Sequence, residues 1–498
     1  MKEKNFFKNW YIQHKNYVIR PYADRILNHD LPKAFANEYT EDLSGVKMSE
    51  PVVLAASPNA GKTLMAVAWI EKYILDNPCS RVLVLAHGQN ILKDQFASEI
   101  TKANVNFSYT KVQNITDFTD TEAQVVVAIP QTIYKYVADD NKRFDLLIVD
   151  EAHQYYFETM VQRIIDIYKP KHQLLLTGTP APFIDRKYKN IIPVCLEELI
   201  DGGFSADPIV VVASSDYNIT EDDFNAENEL KENVKLDTSA TISTMNNLLV
   251  KIEEKIAKKG WVDTVDTIGK TMIVTKNIQQ ARDIKNYFKD NGVDCLISNS
   301  KDDITSDEIN HFIHSGINIL VVVNRGILGF NLPTLVNIID MKCGKNVSNL
   351  FQLINRVTRI HPDGTQKYFF KLVPVTLEVD YLYQISTALS LMKMENYMKY
   401  NGHNELDMVI QKKKKRVVEE DETTGGKVNH KSAKMWCFEP VEYIDIPVSK
   451  MWKMHTDFSW NTLRSIKETM SASRSWSSYT KEENYQFCLQ TIKDYYGL

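Results

Sequence analysis

A short apolar run, Pro51-Val52-Val53-Leu54-Ala55-Ala56, leads into Ser57-Pro58-Asn59-Ala60-Gly61-Lys62-Thr63 and then into a helix-like stretch ending near Leu75. A strand, a tight loop and a helix start are what a phosphate cradle needs, because backbone N–H groups and the positive helix end hold anions. In such a loop Ser57, Asn59, Ala60 and Gly61 line the phosphates. Lys62 reaches the β and γ phosphates, and Thr63 ligates Mg²⁺. The full pattern opens with Gly, and here Ala56 stands in that place. Further along, Leu146-Leu147-Ile148-Val149 ends in Asp150-Glu151-Ala152-His153. Two adjacent acids closing an apolar strand are costly unless they serve a cation or a reaction. Asp150 suits Mg²⁺, and Glu151 suits orienting and deprotonating an attacking water. A third group, Gln352, Arg356 and Arg359, is spaced to share one helix face. Two arginines on one face can reach γ-phosphate oxygens, with Arg359 the candidate arginine finger. Each group has a plain reading when taken alone: an accidental GKT triplet, solvated carboxylates at a strand end, surface arginines in ion pairs. Together and in this order, with the first two expected on neighbouring strands, they point to nucleoside triphosphate chemistry.

Strands and helices must bring these groups together. Apolar strand-length runs start at Pro51, Arg81, Ala123, Phe144 and His172, with amphipathic stretches between them. A second series starts at Thr271, Val293, Ile317, Leu335 and Lys367. Continuous apolar strands alternating with helices predict parallel sheets covered on both faces. The expected division is a helical N-terminal flank over 1–45, one α/β domain over 46–205, a second over 206–375, and a C-terminal accessory domain over 376–498. That last part carries Lys412 to Arg416, followed by Glu419 to Glu422 and a Gly425-Gly426 pair, which reads as an exposed linker. Trp436, Trp452, Trp460 and Trp476 follow. Interleaved with Lys453, Arg464, Lys467 and Arg474, they either pack a small core or stack on unpaired bases.

The composition fits this division. The chain has 498 residues, 44% hydrophobic and 25% charged, which excludes global disorder. Its six cysteines are scattered, without a CxxC pair or zinc spacing, as in a reduced intracellular protein. The charged start lacks an apolar signal region, and no apolar run is long enough for a transmembrane helix, so no membrane association is expected. The net charge of −5 argues against a basic nucleic-acid-coating surface and requires any such contacts to be local.

From about residue 17 to 373 the chain resembles the superfamily-2 helicases and translocases with a DEAH-type box. AASPNAGKT, ending at Thr63, resembles motif I, and VLVLAHGQNILKDQ from Val82 resembles motif Ia. VAIPQT, ending at Thr132, resembles motif Ib, and Asp150 to His153 matches motif II letter for letter. Thr177 to Pro180 resembles motif III and Ile273 to Lys276 motif IV. NRGILGFNLP from Asn324 resembles motif V, and QLINRVTR from Gln352 motif VI.

The resemblance implies two tandem RecA-like lobes with ATP and Mg²⁺ between them. It adds Gly329, Asn331 and Gln352 to the nucleotide site, although Asn331 stands where the family most often has Asp. Ile19-Arg20-Pro21-Tyr22-Ala23 resembles the segment that reads adenine, with Arg20 and a stacking Tyr17 or Tyr22, but Ala23 replaces the glutamine that would contact the base. Gln131, Thr132, Thr275 and Lys276 are the candidates to touch nucleic-acid phosphates and sugars. The expected function is an ATP-dependent helicase or translocase acting on nucleic acid in replication, recombination or repair. DNA is preferred, single-stranded or branched, in an intracellular, cytoplasmic setting such as a phage-infected bacterium. The alternatives are the motor subunit of a restriction or defence complex and a nucleotide-gated clamp with weak ATPase.

Overall fold

The computed structural model describes residues 5–399, except 16–17, 37–38, 42–46, 87–89, 135–142, 216, 227, 259–268, 300, 302, 304–306, 324–331, 375–376, 378–380, 382–383, 386 and 390, together with 446–447. Tyr17, Gly329, Asn331, the Lys412–Arg416 block and the four C-terminal tryptophans lie outside the described residues. The chain divides into two compact units. The first holds 1–199 and 394–404, and the second holds 200–393 and 405–498.

The first unit is a seven-stranded, all-parallel sheet. Its order is Tyr109–Lys111, Val125–Ala128, Val82–Leu85, Leu146–Val149, His172–Thr177, Val52–Ala56 and Ile191–Val194. The five interior strands are buried along their whole length, so both faces are covered. This agrees with their continuous apolar runs. The strand before the phosphate loop and the strand before the acid pair are not neighbours. His172–Thr177 lies between them, pairing Val52 with Leu174 on one side and Val149 with Leu175 on the other. Strand order in a crossover sheet follows from long-range packing, which adjacent sequence does not encode.

The N-terminal flank is helical, as expected, over Phe6–Lys15 and Pro21–Phe35. The second helix is wound wide over Ile26–Asp30, with the Leu31 N–H bonding back to the Ile26 carbonyl. Pro32 explains the wide turn: it offers no N–H, and its ring displaces the carbonyl four residues back. The flank is anchored behind the phosphate-loop helix Lys62–Asp76. Phe7 and Phe35 both stack on Trp69, at ring separations of 6.3 and 5.5 Å. The Trp10 indole N–H donates to Glu71 at 2.7 Å.

The second unit repeats the plan, with parallel strands in the order Cys295–Ser298, Ile319–Val323, Lys270–Thr275, Leu335–Asp340, Tyr368–Pro374 and Ile209–Ser215. Ile446–Pro447 adds an antiparallel edge to Ile209–Ser215. The helix Ile278–Asp290 covers one face through Ala281, Ile284 and Phe288. A buried ion pair, Lys371 to Asp340 at 2.5 Å, joins two central strands. Among the described residues no helix is long and apolar enough to cross a membrane.

One buried group in the first unit makes stability depend on pH. His172 sits against the rings of Phe35 and Tyr73, with Ser49 Oγ 3.1 Å from its Nδ1. Burial, with Lys171 nearby, lowers its pKa to about 4 from a usual 6.5. The unfolded chain therefore takes up a proton below pH 6.5 that the folded chain refuses until about pH 4, so stability is lost as pH falls through this window. Thermal midpoints measured from pH 7 to 4.5 should fall more steeply for the wild type than for His172→Gln. Parallel curves would remove His172 from the account.

Candidate nucleotide site

Three loops leave the carboxyl edge of the first sheet side by side. The strand Val52–Ala56 ends in the Ser57–Gly61 loop, and Lys62 and Thr63 open the following helix. The loop needs two left-handed residues, Asn59 at φ 75° and Gly61 at φ 77°. Asn and Gly are the residue types that enter this region most readily. Lys62 Nζ donates to the Ala56 carbonyl at 2.8 Å, closing the loop on itself. Ser57 Oγ is buried and has no geometric hydrogen-bond partner among the described residues.

The flank holds the same loop from behind. Tyr22 is 3% exposed, and its hydroxyl donates to the Ala60 carbonyl at 3.0 Å. Arg20 donates to the Tyr22 oxygen at 3.0 Å and to the Asn59 carbonyl at 3.4 Å. These contacts make both residues braces of the loop.

The acid pair follows the strand Leu146–Val149. Because Val149 pairs with Leu175, two further residues bring Glu151 level with Thr177. Glu151 itself is left-handed, at φ 48°, which costs a residue with a Cβ roughly 1–2 kcal/mol. That turn sets the Glu151 carboxylate 3.6 Å from His153 Nδ1, which is in turn 3.0 Å from Thr177 Oγ1. Motifs II and III are thereby joined through one imidazole. Asp150 is 7% exposed. Burial first, and the Glu151 charge second, raise its pKa to about 7, against the pull of Lys62. Two carboxylates crowded in this way favour a cation between or beside them.

The donor set fits Mg²⁺ with a nucleoside triphosphate: a hydroxyl at Thr63, a carboxylate at Asp150, and the Lys62 ammonium. Among the described residues no cluster of three or more His, Cys, Asp or Glu side chains forms a metal site. A Mg²⁺ ion that shares its shell with phosphates and water needs no such cluster.

In the second unit, motif VI departs from the expected single helix. The helix Val347–Ile354 carries Gln352 and is followed by a tighter turn over Asn355–Val357. Asn355 is fully buried and donates to the Phe351 carbonyl at 2.7 Å, while the Thr358 hydroxyl donates to the Asn355 carbonyl at 2.8 Å. These bonds end the helix before Arg356. The two arginines stay close all the same: burial, then the Arg356 charge, lowers the pKa of Arg359 to about 9. Lys367 extends the cluster. It is fully buried, donates to the Pro333 carbonyl at 2.5 Å, and is lowered to about 8 by burial and then by Arg359. Three crowded cations favour a bound anion.

The candidate nucleic-acid contacts are divided. Gln131 is exposed and Thr132 half-buried on the short helix Pro130–Ile133. Thr275 is fully buried, and its hydroxyl donates to the Val322 carbonyl at 3.0 Å. Lys276 Nζ donates to the carbonyls of Lys231, at 2.8 Å, and Val234.

Comparison with known proteins decides the family. Residues 18–182 match the family model described as type III restriction enzyme, res subunit, and 253–361 match the helicase conserved C-terminal domain. The chain belongs to the superfamily-2 helicases and translocases. Its two sheets are the RecA-like lobes of that superfamily, and its helicase-family domains imply ATP binding. A search of curated proteins finds no match. Among solved structures, the ATP-dependent Type ISP restriction-modification enzyme LlaBIII bound to DNA aligns with a TM-score of 0.54 at 14% identity, over 75% of this chain and 29% of that one. This chain thus spans under a third of that enzyme. A variant of Saccharomyces cerevisiae Dbp5 bound to RNA and ADP BeF3 gives 0.49 at 14% identity, over 78% of this chain and 93% of that one. A fragment of a putative HsdR subunit of a type I restriction enzyme from Vibrio vulnificus YJ016 gives 0.48 at 18%, over 65% and 60%.

Sequence reasoning passed over Lys367 in the second unit and Tyr397 in the first, and it left His153 and Thr177 without roles. A lysine heading the apolar run KYFFKLV was the available signal for Lys367. For Tyr397 there was none. The strain at Gly61 is open to measurement. A Cβ there meets nothing within 4 Å, so the penalty is that of the backbone alone. Gly61→Ala should lose about 1–2 kcal/mol in denaturant unfolding; an unchanged midpoint would show that the loop relaxes.

Proposed function

We propose that the chain is an ATP-driven translocase on nucleic acid, with DNA preferred over RNA. The observation that carries this reading is the convergence of Lys62, Asp150, Glu151, His153 and Thr177 at one sheet edge, through the 3.0 Å and 3.6 Å contacts of His153. In this reading Lys62 binds the β and γ phosphates, and the backbone N–H groups of 57–61 cradle them. Thr63 and Asp150 would hold Mg²⁺, which neutralises phosphate charge when bound. Glu151 orients the attacking water and accepts its proton on the carboxylate. Arg359, with Arg356 beside it, stabilises the charge that builds on the γ-phosphate oxygens. Gln352, Gly329 and Asn331 complete the nucleotide contacts, and Tyr17 offers a ring to the base. Each lobe would grip the strand differently before and after hydrolysis, as work through a two-state cycle requires. Gln131, Thr132, Lys276 and the backbone at Thr275 would contact phosphates and sugars, which carry no sequence information. The proposed division of labour is a flank over 1–45, lobes over 46–205 and 206–375, and an accessory region over 376–498.

A second reading is favoured by the match of 18–182 to a restriction-enzyme subunit: the chain as the motor of a restriction or defence complex whose nuclease sits on another chain. A stoichiometric nuclease or methyltransferase recovered with it from its native host would select this reading over a stand-alone motor in replication, recombination or repair.

The decisive assay measures ATP turnover with single-stranded DNA, duplex, forked DNA and RNA in parallel, at two salt concentrations. Lys62→Ala and Glu151→Gln should each abolish nucleic-acid-stimulated turnover while strand binding persists. Wild-type turnover in either variant would sink the proposal. Arg359→Ala should lower kcat by roughly a thousandfold with ATP still bound; a loss of under tenfold would remove it as the finger. Strand affinity should fall steeply between the two salt concentrations, because phosphate contacts release counterions.

A further inference from the structure

The chain returns to the first unit after the last parallel strand of the second sheet, and the short helix Met394–Lys399 packs on the helix Ala181–Asp185 and the strand Ile191–Val194. Its Tyr397 is 1% exposed, and the phenol donates a hydrogen bond of 3.0 Å to the Gly178 carbonyl. Gly178 is the glycine of Thr177-Gly178-Thr179-Pro180. Its α-carbon faces the phosphate loop so closely that a Cβ would meet Pro58 Cδ at 3.5 Å and Lys62 Nζ at 3.7 Å. The phenol also lies within electrostatic reach of Glu151 and Cys195, and beside Ser57. One hydroxyl from a distant part of the chain therefore holds the motif III peptide that faces Lys62.

We infer that Tyr397 is a positioning residue for the nucleotide site, holding the Gly178 peptide against the phosphate loop so that Lys62, Glu151 and Thr177 keep their mutual spacing. This rests on the ATPase reading above and adds to it a residue from outside the helicase motifs. Burial holds the phenol pKa well above 10, so the hydroxyl remains a donor throughout the working pH range. Gly178 has no side chain to wedge it in place, so its position depends on what holds its backbone. Thr177 Oγ1, the next group along, already accepts from the Thr179 N–H at 2.9 Å and donates to its carbonyl at 3.0 Å. The turn is internally rigid, and Tyr397 sets where that rigid turn lies.

The test is Tyr397→Phe in the full chain, which keeps the ring and deletes only the hydroxyl. Three readouts are needed: kcat and KM for Mg-ATP with single-stranded DNA, the thermal midpoint, and amide exchange of the peptide spanning 172–182. The expected result is a kcat about tenfold lower, which corresponds to about 1.4 kcal/mol in the barrier. KM should stay within about twofold and the midpoint within a few degrees, with exchange in the 177–180 turn several-fold faster. Unchanged exchange overturns the inference whatever the turnover. Unchanged kcat in an active protein does so as well, and so does a kcat loss that tracks an equal loss of nucleotide binding and of thermal stability. Absence of turnover in the wild type would instead sink the ATPase reading, and the exchange comparison would still judge Tyr397 on its own.

Discussion

Asp150 and Glu151 stand next to each other at the end of a buried strand, and like charges so placed raise the energy of the ionised pair. Much of the first lobe is arranged around that repulsion. Lys62 supplies the opposing charge, and its own loop is held shut through the Ala56 carbonyl. Glu151 takes a left-handed conformation, with its carboxylate 3.6 Å from His153 Nδ1. The imidazole then passes the constraint to Thr177 on the intervening strand. A fold that buries one pair of acids in this way favours a cation beside them, because a cation offsets their repulsion.

The second lobe carries the complementary imbalance. Burial first, and a neighbouring charge second, lowers the proton affinity of Arg359, beside Arg356, and of Lys367, beside Arg359. Each lobe by itself therefore holds unfavourable charge of one sign, the first around carboxylates and the second around guanidinium and ammonium groups. Buried charge of this kind is a poor source of stability and a good source of ligand dependence. The overall charge of −5 conceals this local separation. Mild acidity elsewhere on the chain does not bear on what either cluster binds.

How much of this was legible in the sequence depended on whether the information was local. Interior strands such as Val82–Leu85 and Ile319–Val323 were readable because parallel strands buried on both faces need unbroken apolar runs. Edge strands were not. Tyr109–Lys111 is short and polar, and Ile191–Val194 contains Pro193, which an edge tolerates and a central position does not. The run at Ile209–Ser215 was passed over, because it stands far ahead of the series of strands that starts at Thr271. The phosphate loop and the acid pair were legible as residue types in order. Their separation by His172–Thr177 was not, since strand order is a property of packing. The motif VI spacing suggested one helix, but Asn355 and Thr358 end it early by bonding their side chains to the backbone, as such residues do near helix termini. Tyr22 illustrates a different limit: its type was compatible with stacking, and only its burial identifies a brace.

The path of the chain between the two units has a consequence for how such proteins are cut and recombined. In contact terms the stretch 200–393 is an insertion between two pieces of the first unit, 1–199 and 394–404. Motif boundaries invite a truncation near residue 375, just past the last parallel strand. Such a truncation would keep every parallel strand, but it would remove the antiparallel edge at Ile446–Pro447 and the helix that packs on the first lobe. Module exchange within this architecture therefore has to respect topology over motif order. A lobe transplanted as a contiguous block would arrive without the segment that closes its own site.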